Sequence, residues 1–489
     1  MLIVEADWLV PSAGDDAVSG SAVAMENGRI MAVGRAEELV SLYPNAHYER
    51  FPDAVVMPGF VNAHQHGRGL SQIQLGYPDD ALEPWIARRR GRAVPNVHLL
   101  TLLAAEEMLA HGVTSTLHAN YSYASGDYEA ELRASISAYE IAGLRATVCV
   151  GYADRGELVY PPTDASTFTR SLSSGARALL DDARPAWLPL DATQDLMGRL
   201  QNEYAGHPTI TLAYGPAGPQ WVSDDAWRAL AADAARRDVG LHFHLLESPA
   251  QARACREIYP EGVLCRLEAL GTFAGQASAA HFTQATPEEA RQAARLGLVI
   301  VANPGSNMRL RNGAPRLDMW QEAGMIVALG TDNCALQDDE DYLAELRLGC
   351  LLARGRERGG PKGGSATMLA MGTAAGALAS FCPTAGRLAP GMRADLIVFD
   401  LTRVRGGMQQ TEFDLAAVMA RGGGQDVLLT VVEGRECYRR GPEAAERRRR
   451  LAAAAATAAA PMCNPDLTTR RAGEEISEAL RRHYAGGRA

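Results

Sequence analysis

The chain has 489 residues, a formal charge of −10 at pH 7 and a sequence pI of about 5.6, an acidic balance that argues against a nucleic-acid partner. No apolar run approaches the ~18 residues of a membrane span, and Glu5 and Asp7 interrupt the apolar amino terminus that a secretory signal would need. With 47% hydrophobic and 22% charged residues, the composition is that of a globular protein. We therefore expect a cytoplasmic protein whose partners are small molecules, with no membrane or nucleic acid.

The first ~50 residues predict short strands joined by turns, with Asn27-Gly28 as a tight hairpin turn. From residue 55 onward, short apolar runs alternate with helical stretches. Eight candidate strands cover residues 55–61, 113–119, 146–151, 210–214, 240–245, 278–282, 298–302 and 326–329. Eight alternations predict a (β/α)₈ barrel of the TIM type. A doubly wound open sheet stays possible on strand count, although no Gly-x-Gly-x-x-Gly motif follows the first strand.

Two later segments, "GRLAPGMRADLIVFD" and "DVLLTVVEGRECY", return to β character. We expect them to complete a small β-sandwich built from both chain ends. The predicted domains are residues 1–54 and 385–440 for the two parts of the sandwich, 55–384 for the barrel and 441–489 for a basic, helical tail. We interpret the tail as a surface arm or a subunit contact rather than a nucleic-acid patch, and we expect a homodimer or a larger homo-oligomer.

Two histidines follow the first barrel strand in "MPGFVNAHQHGRG", His64 and His66. Residues i and i+2 of a strand point to the same side, so both imidazoles can bind one ion. An HxH motif alone is weak evidence, and other residues decide its meaning. His244, His281 and Asp332 each follow an apolar run whose carboxyl end should face the same mouth of the barrel.

Three imidazoles and one carboxylate suit Zn²⁺ or Fe²⁺, and such an ion lowers the pKa of a bound water to roughly 7. The cluster therefore indicates a hydrolytic site. Glu247, three residues after His244, is positioned to shuttle a proton from the water to the substrate. His281 would hold the water and stabilise the developing oxyanion.

Two further histidines lie near this mouth. His242 points to the same side as His244 but lies two residues deeper, so we expect it beside a ligand or inside the barrel rather than as a ligand. His118 ends the second strand, where it either faces the substrate or is a satisfied polar residue of the barrel mouth.

The motifs "PGFVNAHQH", "HFHLLE", "AHFT", "NPGSN" and "GTDN", in this order, resemble the amidohydrolase superfamily. Within it the chain is similar to the branch of guanine, cytosine and S-adenosylhomocysteine deaminases and of triazine hydrolases. The resemblance covers nearly all of residues 1–440 and leaves out the tail. It implies a distorted (β/α)₈ barrel with a β-sandwich built from both termini.

The resemblance also implies residue roles. The metal ligands of the superfamily match His64, His66, His244 and Asp332. Its proton shuttle matches Glu247, and the residue that orients the water matches His281. Asp332 would in addition accept a proton from the water as it attacks. Asn303 and Ser306-Asn307, in "NPGSN", match a loop that follows the seventh strand and shapes the pocket, although a turn supporting the barrel rim is the favoured interpretation of their individual side chains.

The 48 basic residues include a single lysine, Lys362. Binuclear relatives such as dihydroorotase and phosphotriesterase resemble this scaffold but bridge two metals with a carboxylated lysine on the fourth strand. Lys362 comes after the eighth strand and cannot serve there. The resemblance therefore implies one divalent ion, Zn²⁺ with Fe²⁺ as the alternative, and attack on an electron-poor ring carbon.

Substrate contacts are predicted more coarsely. Trp85, in "DALEPWIARRR", can stack on a flat ring, or it packs against the barrel as an ordinary helix residue. Arg68, in "HQHGRG", can pair with an anionic or carbonyl group of the substrate, or it caps a loop by binding backbone carbonyls.

We predict a hydrolytic deaminase that releases ammonia from an amino-substituted nitrogen heterocycle. A triazine-type chlorohydrolase or N-dealkylase is the first alternative, because the same groups can expel chloride or an alkylamine. Hydrolysis of a cyclic amide, such as an imidazolone ring, is the second. A non-catalytic scaffold is disfavoured, because every expected ligand and proton-handling residue is present.

Overall fold

The computed structural model describes residues 1–183, 185–333, 337–354, 364–408 and 412–485. Lys362 lies outside the described residues. The strands, in chain order, are β1 (Leu2–Leu9), β2 (Val18–Glu26), β3 (Arg29–Arg35), β4 (His47–Pro58), β5 (Phe60–Gln65), β6 (Val113–His118), β7 (Arg145–Tyr152), β8 (Ile210–Pro216), β9 (Gly240–Leu245), β10 (Ala277–His281), β11 (Val299–Ala302), β12 (Val327–Leu329), β13 (Leu396–Asp400), β14 (Val427–Val432) and β15 (Arg435–Arg439).

Helices fill most of the connections between the strands. They are α1 (Ala36–Leu42), α2 (Leu82–Ala87), α3 (Val97–Ala110), α4 (Tyr128–Ala142), α5 (Ala165–Arg170), α6 (Ser174–Asp181), α7 (Leu190–Glu203), α8 (Asp224–Arg237), α9 (Pro249–Ile258), α10 (Val263–Ala269), α11 (Pro287–Arg295), α12 (Pro304–Arg309), α13 (Leu317–Glu322), α14 (Tyr342–Arg354), α15 (Ser365–Gly372), α16 (Ala374–Ala379), α17 (Thr402–Arg405), α18 (Leu415–Arg421), α19 (Pro442–Cys463) and α20 (Leu467–Ala485). No described helix combines the length and the apolar character that crossing a bilayer requires.

One sheet is built from both ends of the chain. Its seven strands lie in the order β15-β14-β13-β4-β1-β2-β3. Between β2 and β3, Asn27 and Gly28 have φ angles of 50° and 75°, the left-handed pair that a two-residue hairpin turn needs. The predicted hairpin and the predicted β unit shared by the two termini are both confirmed.

The second sheet is the barrel. Its eight strands run in sequence order from β5 to β12, and every neighbouring pair is parallel. Asp332, just beyond β12, pairs with Gln65 of β5, and its backbone N–H donates to the carbonyl oxygen of His64 at 2.9 Å. This contact joins the last strand to the first, so the predicted (β/α)₈ barrel is confirmed.

The predicted strand at residues 55–61 is wrong because it merges two strands. Residues 55–58 end β4, which pairs with β13 in the terminal sheet, and the barrel strand β5 starts at Phe60. The chain changes sheets at Pro58 and Gly59, where a Cβ on Gly59 would overlap the side chain of Thr114. The other seven predicted strands agree with the observed ones to within two residues at each end.

The tail forms the two long helices α19 and α20. Helix α19 packs against α3, whereas α20 packs against α2 and α6 beside the mouth of the barrel. Buried side chains at these contacts include Ala455, Met462, Ile476 and Leu480. The tail therefore covers part of its own barrel; the predicted homo-oligomer, the cytoplasmic location and the domain boundaries stay predictions.

Candidate metal centre and active site

Five of the predicted site residues meet at the carboxyl ends of the barrel strands. His64 lies in β5 and His66 directly follows it, His244 lies in β9, His281 ends β10, and Asp332 follows β12. Because the strands are parallel, these ends share one mouth of the barrel, as the sequence predicted.

The candidate ligand atoms converge on a single point. Asp332 Oδ1 lies 3.0 Å from His66 Nε2 and 3.4 Å from His64 Nε2. In two overlapping groups, His64 with His66 and Asp332, and His64 with His244 and His281, the possible ligand atoms all lie within 4.8 Å of one another. The geometry brings together the four predicted ligands and His281.

Hydrogen bonds to backbone carbonyls determine which nitrogen of two imidazoles is free. His66 Nδ1 contacts Ala119 O at 2.5 Å, and His244 Nδ1 contacts Ala217 O at 2.8 Å. A carbonyl oxygen only accepts, so each Nδ1 carries the hydrogen and each Nε2 keeps a lone pair directed into the cluster.

A longer relay determines the tautomer of His64. The hydroxyl of Ser278 donates to Ala379 O at 2.8 Å, so its oxygen accepts from His242 Nδ1 at 2.7 Å. His242 Nε2 must then accept, and it does so from His64 Nδ1 at 2.8 Å. His64 therefore also presents the lone pair of Nε2, and His242 contacts His64 from inside the barrel.

Burial sets the charges of this cluster. It lowers the pKa of His66 and of His244 to about 4 and that of His64 well below its ordinary value. Burial alone would raise the pKa of Asp332, but the adjacent imidazoles of His64 and His66 hold it well below the usual range. Neutral imidazoles and an ionised carboxylate are the forms that bind metals.

The residues fit a divalent cation. The Nε2 atoms of His64 and His281 are buried and have no hydrogen-bond partner among the described residues. A buried polar atom without a partner is rare, and here two such atoms share one cluster with an ionised carboxylate. Three imidazole nitrogens and one carboxylate form a donor set that suits Zn²⁺.

Glu247 is held beside the cluster by the start of α9. Ser248 is the N-cap of this helix and accepts from the backbone N–H of Gln251, whose side chain reaches back to donate to Glu247 Oε2 at 3.2 Å. Asn312 Nδ2 donates to Glu247 Oε1 at 2.9 Å. Burial, reinforced by the charge of Asp332, raises the pKa of Glu247 well above its ordinary value and so favours the protonated carboxyl.

His281 faces the carboxyl of Glu247. Its Nε2 lies 3.7 Å from Glu247 Oε2 and 4.0 Å from Asp332 Oδ2, and its Nδ1 contacts Asn307 Oδ1 at 2.8 Å. His281 and Asp332 have φ angles of 77° and 54°, in the left-handed region that residues other than glycine seldom occupy. Such strain is typical of functional positions, since the surrounding fold must hold it in place.

An aromatic cavity opens above the cluster. Its floor includes His66, His244, Glu247, His281 and Asp332, and its walls include Tyr77, Trp85, Tyr121, Tyr123, Trp187 and Trp221. A cavity with apolar, aromatic walls and a few convergent polar groups is typical of a small-molecule site.

One predicted substrate contact, Trp85, lines this cavity, and a second, Arg68, contacts Tyr123 and Asn333 in its wall. Trp85 is buried in its wall, and the guanidinium of Arg89 covers the indole ring with Cζ 4.1 Å from the ring centroid. Arg68 donates to the side chains of Asn333 (2.8 Å) and Tyr123 (3.2 Å), and no described backbone carbonyl accepts from it. Their contacts with a substrate stay predictions.

The other two predicted substrate contacts do not line the cavity. His118 Nδ1 contacts the hydroxyl of Tyr139 at 2.6 Å, behind the metal cluster. The Asn303 amide nitrogen lies 3.3 Å from both His281 Nδ1 and Val301 O. Both side chains are buried and contact protein groups, so a direct role in substrate binding stays a prediction.

Further residues hold the site in place. Ser306 Oγ donates to Asp332 Oδ2 at 2.5 Å, and Asn307 contacts His281. Both belong to the motif "NPGSN", so that motif was a usable signal. Asn333 ends the quoted motif "GTDN" but was not given a role from the sequence, and Asn312 lies outside the quoted motifs.

The comparisons with known proteins agree with this geometry. The amidohydrolase family model matches residues 55–437, and the model of the bacterial imidazolonepropionase-like composite domain matches residues 22–46. The chain is 28% identical over 430 residues to a 5-methylthioadenosine/S-adenosylhomocysteine deaminase of Nitratidesulfovibrio vulgaris, covering 87% of this chain and 89% of the relative.

Two solved structures share the fold. An adenosine deaminase from Xanthomonas campestris with bound zinc matches with a TM-score of 0.74 and 24% identity, over 93% of this chain and 98% of the other. An atrazine chlorohydrolase from Arthrobacter aurescens, complexed with zinc and atraton, matches with a TM-score of 0.77 and 21% identity, over 92% and 100%.

The family match spans most of the chain, and the barrel and the site agree with it. The chain belongs to the amidohydrolase family. It is a hydrolase that acts on carbon–nitrogen bonds other than peptide bonds, as the sequence predicted.

Proposed function

We propose that this hydrolase is a zinc-dependent deaminase of an adenosine derivative, with His64, His66, His244 and Asp332 as the metal ligands. Fe²⁺ is the alternative metal. Hydrolytic deamination replaces the amino group of the heterocycle with oxygen and releases ammonia. The single observation that carries the proposal is the buried carboxyl of Glu247 beside a cluster of free imidazole nitrogens.

A divalent ion bound by these ligands would lower the pKa of a coordinated water, and that water is the source of the nucleophile. The chain's own residues move the protons. Asp332 is ionised and accepts a proton at a carboxylate oxygen. Burial favours the protonated carboxyl of Glu247, whose Oε2 lies 3.7 Å from His281 Nε2, and this carboxyl donates a proton to a ring nitrogen of the substrate.

His281 and its neighbours orient the reacting groups. Because His281 Nδ1 contacts Asn307, the imidazole is fixed with Nε2 toward Glu247 and Asp332. Asn312 and Gln251 hold the carboxyl of Glu247 at both oxygens. Fixed polar groups of this kind stabilise developing charge without reorganising during the reaction.

Adenosine derivatives are favoured as substrates by two considerations. The relative from N. vulgaris is named for deaminating two adenosine derivatives, and the X. campestris structure is named an adenosine deaminase. The walls of the cavity are aromatic, and flat rings pack well on such side chains.

The test uses the purified full chain, with its metal content measured first. The protein is incubated with adenosine, 5-methylthioadenosine, S-adenosylhomocysteine, guanine, cytosine, a pterin and a chlorinated triazine. We expect ammonia in equal amount to the deaminated product from at least one of the three adenosine compounds, and about one equivalent of zinc per chain.

Other outcomes would redirect the assignment. Chloride or alkylamine release from the triazine, without ammonia from any purine, would favour the chlorohydrolase or N-dealkylase. A product that retains all the nitrogen of the substrate would indicate ring opening. The variant Glu247→Gln is the control for activity from contaminating enzymes.

A further inference from the structure

Two arginines contact the same aromatic ring, Tyr121, in the wall of the cavity. The Cζ atoms of Arg68 and Arg89 lie 5.2 Å and 4.9 Å from the centroid of Tyr121. Arg68 follows the metal-binding motif of β5, and Arg89 follows α2. Arg89 lines the cavity above the cluster, whereas Arg68 contacts three residues of the cavity wall, Tyr121, Tyr123 and Asn333.

These two guanidinium groups are poorly satisfied. A guanidinium has five N–H donors. Among the described residues, Arg68 donates to Asn333 Oδ1 and to the hydroxyl of Tyr123, and Arg89 donates to the same Asn333 oxygen at 3.3 Å. Arg68 Nη2 and Arg89 Nε are buried without a partner.

Their charges are also uncompensated. Neither arginine forms an ion pair with a carboxylate of the described residues, and both converge on one neutral amide oxygen. Arg89 lines the cavity, and burial together with the charge of Arg68 lowers its pKa. Two like charges taken out of water without a counter-charge are costly for the fold alone.

Neighbouring arginines show what a structural role looks like in this segment. Arg92 donates to the backbone carbonyls of Leu75, Gly76, Arg88 and Met462. Arg88 contacts the carboxylate of Asp80 at 3.3 Å. Arg68 and Arg89 have neither kind of partner within the part of the chain that the structure describes.

We propose that Arg68 and Arg89 bind an anionic group of the substrate, a carboxylate or a phosphate. The inference rests on the proposed function, because it places this anion on the heterocycle that is deaminated at the adjacent centre. A planar guanidinium binds carboxylate and phosphate oxygens through two parallel hydrogen bonds, which suits the unused donors.

The two sites are connected through one side chain. Asn333 accepts from both arginines at Oδ1, and its Nδ2 donates to Asp332 Oδ1 at 2.9 Å. An anion on the arginines and a ring at the metal centre therefore lie close enough to belong to one molecule. The anion would take up the donors that Asn333 leaves unused.

The first experiment measures anion binding without turnover. Inorganic phosphate and benzoate are titrated separately by calorimetry onto the zinc-loaded wild type, Arg89→Met, Arg89→Lys and Arg88→Met. We expect at least one anion to bind the wild type, with affinity at least tenfold lower in Arg89→Met and partly restored in Arg89→Lys. Arg88→Met removes an equal charge from the neighbouring position and should bind as the wild type does.

The second experiment compares substrates that differ in charge. The ratio of kcat/KM for adenosine 5′-monophosphate to that for adenosine reports on phosphate, and the ratio for S-adenosylhomocysteine to 5-methylthioadenosine reports on carboxylate. We expect at least one ratio to exceed ten in the wild type and to fall at least tenfold in Arg89→Met. A purely structural role of Arg89 would lower both members of a pair equally and leave the ratio unchanged.

The outcomes separate this inference from the proposed function. Anion binding that depends on Arg89, without ammonia from any compound, would support the anion site and refute the adenosine deaminase. Ammonia release with charge-independent ratios, or no binding of either anion to the wild type, would overturn the anion site.

Discussion

His64 donates the hydrogen on its Nδ1 to Nε2 of His242, 2.8 Å away inside the barrel. His242 is itself held by the hydroxyl of Ser278. Through this contact a residue that does not reach the cluster determines which nitrogen of His64 does.

We expect His242→Leu to weaken metal binding about 10- to 100-fold, because a ligand loses the acceptor that fixes its tautomer. His242→Gln retains an acceptor and should lose less. The measurement is zinc affinity by competition with a chelator of known affinity. Equal affinity in the wild type and His242→Leu would mean that the relay does not govern the ligand.

Glu247→Gln should reduce turnover by at least about 10²-fold while the metal content stays at the wild-type level. The glutamine keeps the size of the side chain and its contact with Asn312, but it cannot deliver a proton. Turnover and metal content are measured on the same preparation. Near-normal turnover would remove Glu247 from the chemistry, and loss of metal would assign it a role in the centre itself.

The metal-free protein should lose stability as the pH falls from about 6.5 towards 5. Burial lowers the pKa of six histidines below the ordinary value of 6.5, so the unfolded chain binds protons in this range that the folded chain does not. These histidines are His64, His66, His118, His242, His244 and His281. Each adds up to about 1.4 kcal/mol per pH unit to the slope.

Five carboxyl groups oppose this effect. Burial raises the pKa of Glu247 well above its ordinary value, that of Glu340 to about 8, and those of Glu83, Glu106 and Asp339 above their ordinary values, so the folded chain binds protons there that the unfolded chain releases. Because the six buried histidines act in the other direction, we expect stability to decrease in acid. Urea unfolding of chelator-treated protein at pH 7, 6 and 5 measures it, and a constant or rising free energy of unfolding in acid would contradict the assigned charges.

Deleting residues 465–489 should raise KM several-fold and leave the metal content unchanged. Helix α20 supports α2, which carries Trp85 in the wall of the cavity. Ser477 donates to Pro84 O at 3.0 Å, and Arg481 pairs with Asp80 at 2.6 Å.

A milder variant serves as the comparison for this deletion. Tyr484→Phe removes only the hydroxyl that accepts from the backbone N–H of Tyr160, so its KM should change less. Steady-state kinetics and metal analysis of both variants make the measurement. An unchanged KM after deletion would show that α2 holds its place without the tail, and lost metal would show that the tail supports the whole barrel.

The sequence predicted those parts of the molecule that depend on local pattern. Seven barrel strands and the convergence of His64, His66, His244 and Asp332 follow from apolar runs that end in polar residues, because parallel strands share one mouth. The prediction of one strand at residues 55–61 was wrong because the continuous apolar run gives no sign that the chain changes sheets at Pro58.

Contacts made by loops could not be predicted in this way. Asn333 contacts Asp332 and two arginines from distant segments, which depends on how loops without periodicity pack together. The packing position of α19 could not be predicted either, since an alanine-rich segment has no distinct apolar face that would indicate which helix it packs against.

Asp332 closes the barrel with its backbone and completes the cluster with its side chain. A chain whose last barrel strand has not joined the first therefore lacks the complete cluster that would bind the metal ion. The specific activity of a preparation should consequently be proportional to the fraction of molecules whose barrel is closed. Partly folded chains should be inactive and should not show a reduced turnover rate.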